Sequence, residues 1–296
     1  MIGKVRPSAS IRFAMPSDAL RPFVTTYYHT EVTAPELPGW IEDYLHPEWG
    51  NMRFLPPGLS NHAIGSDPMV ETPGFAAAGP TSRATRFRMR SGTSWGIGLL
   101  PLGWVKFVDA PAREFADRAV DGLRDPAFAA FVPLAEALRD ADGDFDAGLA
   151  LIERHMEQLL SRALAGSEGI SAVHAGLVDP AVTTVAELAD RAEMGVRSLE
   201  RLCARAFGFT PKLLLRRQRF LRSLAHFMLD PSLKWLTAMD YQYHDQAHFV
   251  RDFRRFMGMT PTAYGKLEHP LLSAAARARA EAAGEAMQVL HRPPPA

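Results

Sequence analysis

The tetrapeptide Gly208-Phe209-Thr210-Pro211 returns as Gly258-Met259-Thr260-Pro261, 50 residues further along the chain. In both places it ends a short amphipathic helical pattern, since glycine and proline break the helix before them. Ahead of the first copy, Val185-Ala186-Glu187-Leu188-Ala189 is helix-periodic, with Thr184 in front of it and Glu187 three positions on, the signature of a capping box. Met194-Gly195-Val196 makes a turn, and residues 198–206 form a second short helix. Ahead of the second copy, residues 233–239 read as a helix, 240–244 as a turn and 246–257 as another helix, N-capped by Asp245. A helix from 212 to about 229 joins the two units. Any two short amphipathic helices can imitate one helix-turn-helix. Two units with a common exit motif and a shared basic helix commit this region to a compact all-α domain.

Charge sharpens the point. The chain's 33 Lys+Arg balance its 33 Asp+Glu, yet residues 181–270 hold 14 basic and 9 acidic side chains, a net +5. Residues 271–296 add +1, so the first 180 carry −6. A basic module of this size is an electrostatic footprint for nucleic acid. Arg197, Glu200 and Arg201 fall on the outward side of the second helix of the first unit, and Gln246 and Arg251 lie at the corresponding place in the second. Arginine forks onto guanine O6 and N7, so these five are the expected base readers. Arg205, Lys212, Arg216, Arg254 and Arg255 are the expected phosphate contacts, while Phe249 and Phe253, four apart, belong to the core. Cys203, the single cysteine, sits on an inner face as a small hydrophobe, and its solitude excludes a disulfide framework or a Cys-only zinc site.

The front of the chain has a different texture. Pro56-Pro57-Gly58, Pro73-Gly74 and Gly79-Pro80 punctuate short β-favouring pieces at 23–28, 52–55, 85–89 and 105–108. Thr85-Arg86-Phe87-Arg88-Met89 alternates as a half-buried antiparallel strand does. Close spacing of such strands points to a sandwich or barrel over 1–115. A helical extension over 116–165 follows, with Phe145, Leu149, Ile152, Met156 and Leu159 as one apolar stripe, read as packing on its own domain or as a dimer helix. Residues 166–180 read as a linker, 181–268 as the basic module and 269–296 as a short helix fraying into disorder. The fold class is thus α+β.

Residues 183–268 resemble the DNA-binding domain of the AraC/XylS family of transcription regulators. The resemblance rests on Val185-Ala-Glu-Leu-Ala189, Ser198-Leu-Glu-Arg-Leu202, Arg217-Gln-Arg-Phe-Leu-Arg222, both Gly-x-Thr-Pro signals and, most specifically, Asp245-Gln-Ala-His-Phe-Val-Arg-Asp-Phe-Arg-Arg255. It implies two helix-turn-helix units, each placing one helix in successive major grooves. The turn of the second unit departs: Asp240 replaces an alanine, and Gln242 stands where the family usually has a turn glycine, at a cost on the order of 1 kcal/mol if φ is positive there. The front half is more loosely similar to the sensor regions attached to such domains, which are often cupin-like barrels, through Leu20-Arg-Pro-Phe-Val24, Gly79-Pro-Thr-Ser-Arg83 and Pro101-Leu-Gly103. That implies a small-molecule effector, with double-stranded DNA as partner and a second copy of the chain or RNA polymerase as further candidates.

Candidate effector-pocket residues are the aromatics Tyr28, Trp40, Tyr44 and Trp95 with His46. His46-Pro47-Glu48-Trp49 pairs one histidine with one carboxylate, too little for a cupin-type metal site, so neither metal nor cofactor is expected. No Gly-x-Ser-x-Gly elbow, Walker loop or His-Glu-x-x-His motif occurs, so no catalytic residue is expected and the chain does not read as an enzyme. The first twenty residues lack an uninterrupted apolar run, and no stretch approaches a membrane span, so the expected location is the cytoplasm. The rival reading is a protein-interaction regulator whose altered second unit binds DNA weakly or not at all.

Overall fold

The computed structural model describes residues 8–35, 39–140, 144–164, 167, 169–230, 232 and 235–293. The start of the helix expected at 233 and the final residues 294–296 lie outside that set.

Among the described residues ten strands build the front of the chain: β1 (Ser8–Ala14), β2 (Val24–Thr33), β3 (Ile41–Leu45), β4 (Asn51–Phe54), β5 (Ser60–Ile64), β6 (Val70–Glu71), β7 (Phe75–Ala78), β8 (Thr85–Met89), β9 (Gly92–Leu99) and β10 (Ala119–Asp121). They form a six-stranded sheet in the order β1-β2-β9-β4-β7-β10 and a four-stranded sheet in the order β3-β8-β5-β6. The alternation in β8 sends Thr85, Phe87 and Met89 inward while Arg86 is exposed, so the pleat seen in the sequence sets the sheet's inner face. The six-stranded sheet works on both faces. On one, Tyr27, Met52, Phe75, Ile97 and Leu99 pack beneath three helices, α1 (Pro101–Phe107), α2 (Val132–Asp140) and α3 (Phe145–Leu159). On the other, Tyr28, Thr30 and Ser94 face the second sheet across a cavity. Tyr28 lies across its register partner Gly96, where a Cβ would sit 2.0 Å from the ring, so only glycine fits.

Several boundaries differ from the sequence reading. The piece at 105–108 lies mostly in helix α1, because Pro101 at its first turn is set for helix and the run behind it buries Trp104 and Phe107. The apolar stripe of α3 is covered by its own domain, with Ile152 and Met156 fully buried. The expected linker contains α4 (Ile170–Val178), which buries Ile170, Val173, His174 and Leu177.

Helices α5 (Val185–Arg191), α6 (Val196–Ala206), α7 (Pro211–Leu229), α8 (Trp235–Ala238), α9 (Gln246–Met257) and α10 (Pro261–Tyr264) complete the helical domain. The short helix expected after 269 is α11 (Leu272–Ala283), packed on β1; where fraying is expected beyond it, a 3-10 turn, Gln288–Leu290, buries all three of its residues. One continuous apolar core runs from Ile41 and Phe87 of the four-stranded sheet and Trp49 of the β3–β4 loop through Phe207 and Phe220 to Val289. The two halves are therefore joined by packing as well as by chain.

Candidate nucleic-acid interface

The repeated Gly-x-Thr-Pro is a helix stop and a helix start in four residues. Gly208 and Gly258 adopt φ of +80° and +74° and end α6 and α9, a conformation that side chains with a Cβ resist. Thr210 and Thr260 then accept from the backbone N–H of Leu213 (3.4 Å) and Ala263 (3.1 Å), and proline takes the first helical position. Upstream, Thr184 Oγ1 accepts from Glu187 N at 3.2 Å while Glu187 Oε2 accepts from Thr184 N at 2.9 Å, closing the capping box. Hydrogen bonds from Thr183 and Thr184 hold the Glu187 carboxyl below its ordinary range. Asp245 caps α9 by accepting from His248 N at 2.6 Å.

These devices fix two helices with one polar face each. On α6, Leu199 and Cys203 are fully buried while Arg197, Glu200 and Arg201 are exposed, and Arg201 Nη2 donates to Ser198 at 3.3 Å. On α9, Phe249, Phe253 and Phe256 are buried, and Gln246, Ala247, Arg251, Arg254 and Arg255 are exposed. Lys212 is exposed at the start of α7, and Arg205 is half-buried. Burial, followed by the nearby Arg219 charge, lowers the His248 pKa, so this imidazole is neutral at pH 7.

Arg216, an expected phosphate contact, keeps about a third of its side chain exposed beside Lys212 and is at the same time paired within the domain. Its Nε donates to Asp252 Oδ1 at 2.5 Å, Arg219 Nη2 donates to Asp252 Oδ2 at 3.2 Å, and the Tyr243 hydroxyl donates to the same oxygen at 3.0 Å. Asp252 is wholly buried, so this knot welds α7 to α9. Arg222 likewise donates to Asp240 at 2.6 Å. Arg217 faces the opposite way: it is 0% exposed, stacks 4.0 Å over Trp49 and donates to the carbonyl oxygen of Thr81 at 2.8 Å. The sequence names it only within the Arg217–Arg222 motif and assigns it no buried role, although it sits three residues after Leu214 and four before Leu221, on the apolar stripe of α7.

The turn around Gln242 carries no positive φ; among the described residues only Asp117 and Glu193 combine a side chain with φ above zero. Gln242 N donates to Asp240 Oδ1 at 2.9 Å, its amide reaches the Pro180 carbonyl ahead of α5, and Arg222 donates to its Oε1 at 3.2 Å. The residue thus ties the second unit to the first at no backbone cost.

In the front domain the candidate pocket residues divide. Tyr28 and His46 line the cavity between the sheets, and His46 Nε2 lies 2.7 Å from the Tyr264 hydroxyl. Trp95 belongs to the opposite face of its strand, stacked on Phe145 at 5.4 Å, because neighbouring Ser94 takes the cavity side. Trp40 lies under the Arg88 and Arg90 guanidinium groups, and Tyr44 packs at the core's margin outside the cavity lining. Among the described residues no helix is long and apolar enough to cross a membrane.

Comparison with known proteins agrees with the geometry of the helical domain. A family described as "Helix-turn-helix domain" matches residues 188–266. No curated protein matches the sequence. Among solved structures the chain is similar in outline to ToxT from Vibrio cholerae, at 10% identity and a TM-score of 0.45 over 88% of this chain and 98% of that one. A second ToxT structure, from Vibrio cholerae O395, aligns at 11% identity and a TM-score of 0.42 over 77% and 97%. With two capped units on a shared helix and a family match reaching into both, residues 188–266 are similar to the family described as a helix-turn-helix domain.

Proposed function

We propose that this protein is a sequence-specific DNA-binding transcription regulator whose front domain holds a small-molecule effector. The observation that carries the reading is that α6 and α9 both turn their polar faces to solvent while α7 packs against α6 and is bonded through Asp252 to α9. Two recognition helices held rigidly can enter successive major grooves without paying for reordering. Arg197, Glu200, Arg201, Gln246 and Arg251 read bases in this arrangement. Lys212, Arg254 and Arg255 anchor phosphates with Arg205, and Arg216 orients α9 through Asp252. The rival interaction-protein reading drew on a strained turn at Gln242, and the turn is unstrained.

Selection from random duplexes, followed by mobility shifts at 50 and 200 mM salt, tests this. Binding should be sequence-specific and fall steeply with salt. Arg201→Ala should cost about 1–3 kcal/mol on the selected site and relax specificity at one base pair. Equal loss on every sequence would remove Arg201 from base reading, and no salt-sensitive binding at all would favour the interaction protein.

A further inference from the structure

The second recognition helix ends against the front domain, at the start of a row of arginines. Ala84 N donates at 2.6 Å to the carbonyl oxygen of Phe256 in the last turn of α9, so the exposed Arg254 and Arg255 stand where β8 begins. From there the pleat turns Thr85, Phe87 and Met89 into the cavity, and Arg86, Arg88 and Arg90 to the outside of the four-stranded sheet. The arginines stand about 7 Å apart, and Arg90 lies about 20 Å along the chain from Ala84. Within a front half of net −6, residues 72–108 hold five basic side chains and no acid. Two acids share the outer face: Glu42, 4.0 Å from Arg86, and Glu71 at the far edge, which accepts from Gly58 N at 3.1 Å. Arg88 and Arg90 have no ion pair among the described residues; Arg88 Nε donates to Asn61 at 3.3 Å, and both guanidinium groups lie over Trp40, 4.6 and 4.2 Å from its centre. Stacking through the faces holds both groups in place and leaves their N–H edges to donate elsewhere. Two cations gathered on one ring also repel each other, and an anion laid across them relieves that repulsion.

We propose that this row is a backbone clamp for duplex DNA: Arg86, Arg88 and Arg90 hold phosphates of the segment flanking the bases that α9 reads. The inference rests on the reading of the protein as a DNA-binding regulator and extends the contact from the helical domain to the front one. Duplex DNA is favoured over an acidic protein because the row continues from Arg254 and Arg255, which that reading already places at phosphates. The length from Ala84 to Arg90 matches about six base pairs at roughly 3.4 Å each. The junction between helix and row is held firmly. Arg217 of α7 donates to the Thr81 carbonyl at 2.8 Å, and Ser82 N donates to Asp117 Oδ1 at 2.6 Å, so DNA seated on α9 meets the row at a fixed place. Phosphate contacts of this kind add affinity and register but no sequence information.

Mobility shifts of the full chain on two kinds of duplex test the proposal. One is the site selected from random DNA, trimmed to the bases it enriches; the other carries one further helical turn, roughly 10 base pairs, at one end or the other. One flank and not the other should tighten binding about tenfold or more at the low end of a series from about 50 to 200 mM salt. The triple variant Arg86→Gln, Arg88→Gln, Arg90→Gln should lose that tightening and bind the trimmed site as before. On the flanked duplex its slope of log affinity against log salt should fall by about 2–3. Lysine at the same three positions should restore most of the slope. Arg124→Gln, at a front-domain arginine whose side chain is 89% exposed, should change neither quantity. Circular dichroism melts separate lost binding from lost folding, and if the triple variant melts early, Arg90→Gln alone should still lose about 1 in slope. A folded triple variant that keeps the slope on the flanked duplex would overturn the clamp and leave the row to an acidic protein surface. So would an unmodified protein that binds the trimmed site and gains nothing from either flank. Both outcomes leave the DNA reading standing, whereas no salt-sensitive binding to any duplex removes that reading and the clamp with it.

Discussion

Asp252 shows how much a single side chain can hold. It is 0% exposed and accepts from Arg216, Arg219 and Tyr243, so its carboxylate is the only acid in a knot of two cations and a phenol. Asp252→Ala would leave two guanidinium groups facing each other across a hole, and should cost about 3–5 kcal/mol in urea unfolding, the range for breaking a buried pair. Loss below 1 kcal/mol would mean that Arg216 and Arg219 are satisfied by water and that the knot contributes little. The same knot explains what the sequence did and did not disclose at residue level. Exposed arginines on α6 and α9 were legible because amphipathic periodicity alone assigns a face. Arg216 was not, since the periodicity of α7 says that it points outward but cannot say that a buried acid on α9 awaits it. Arg217 and Arg279 are legible in retrospect as charged residues at apolar-stripe positions, a pattern that calls for a specific buried partner.

Among elements, those with local stop and start signals came out of the sequence with near-correct ends. Thr184, Thr210 and Asp245 each cap a helix within one residue of the expected start, and each cap is a hydrogen bond formed within three residues. Elements fixed by distant packing did not. Residues 166–180 read as a linker because the nine residues of α4 offer too few turns to display a period, and its buried face is defined by Phe207 and Trp49 elsewhere in the chain. The stretch after α11 reads as fraying because it carries little periodic apolar signal, whereas its buried Gln288–Leu290 turn is held by residues far away in the chain, such as Trp49 and Gln218. The capping box gives this scale its test. Thr184→Ala should destabilise the protein by about 1 kcal/mol, while Thr184→Ser, which keeps the acceptor, should change it by a few tenths. An equal loss in both variants would move the effect from the cap to the packing of the threonine methyl.

At the scale of the whole molecule, zero net charge conceals an acidic front and a basic back, and the structure joins them across a buried seam. The division at residue 180 was readable from charge; the continuity of the core across it was not, because it depends on aromatic contacts between residues more than a hundred positions apart, such as Trp49 with Phe207 at 5.5 Å. Three histidines line that seam. Burial lowers His174 to about 3 and His46 and His291 to about 4; next in effect, His291 lowers His174 further and Arg279 lowers His291 further, while Asp43 partly opposes the shift of His46. In the unfolded chain each titrates near 6.5, so between about pH 6.5 and pH 4 the unfolded state binds protons that the native state refuses. Stability is then fully present above pH 6.5 and falls as the pH drops, by up to about 1.4 kcal/mol per pH unit for each histidine. Because His46 meets Tyr264 and His174 packs edge-on to Trp49, protonation charges the contact between the two halves rather than either core alone. Urea unfolding at pH 7.5 and pH 5.0 should show a lower midpoint at the acid end, with the tryptophan signal of the seam moving no later than the helical signal. His174→Phe should shallow the pH dependence. A midpoint independent of pH over this range would show that these imidazoles take up protons in the folded protein and that the seam admits water.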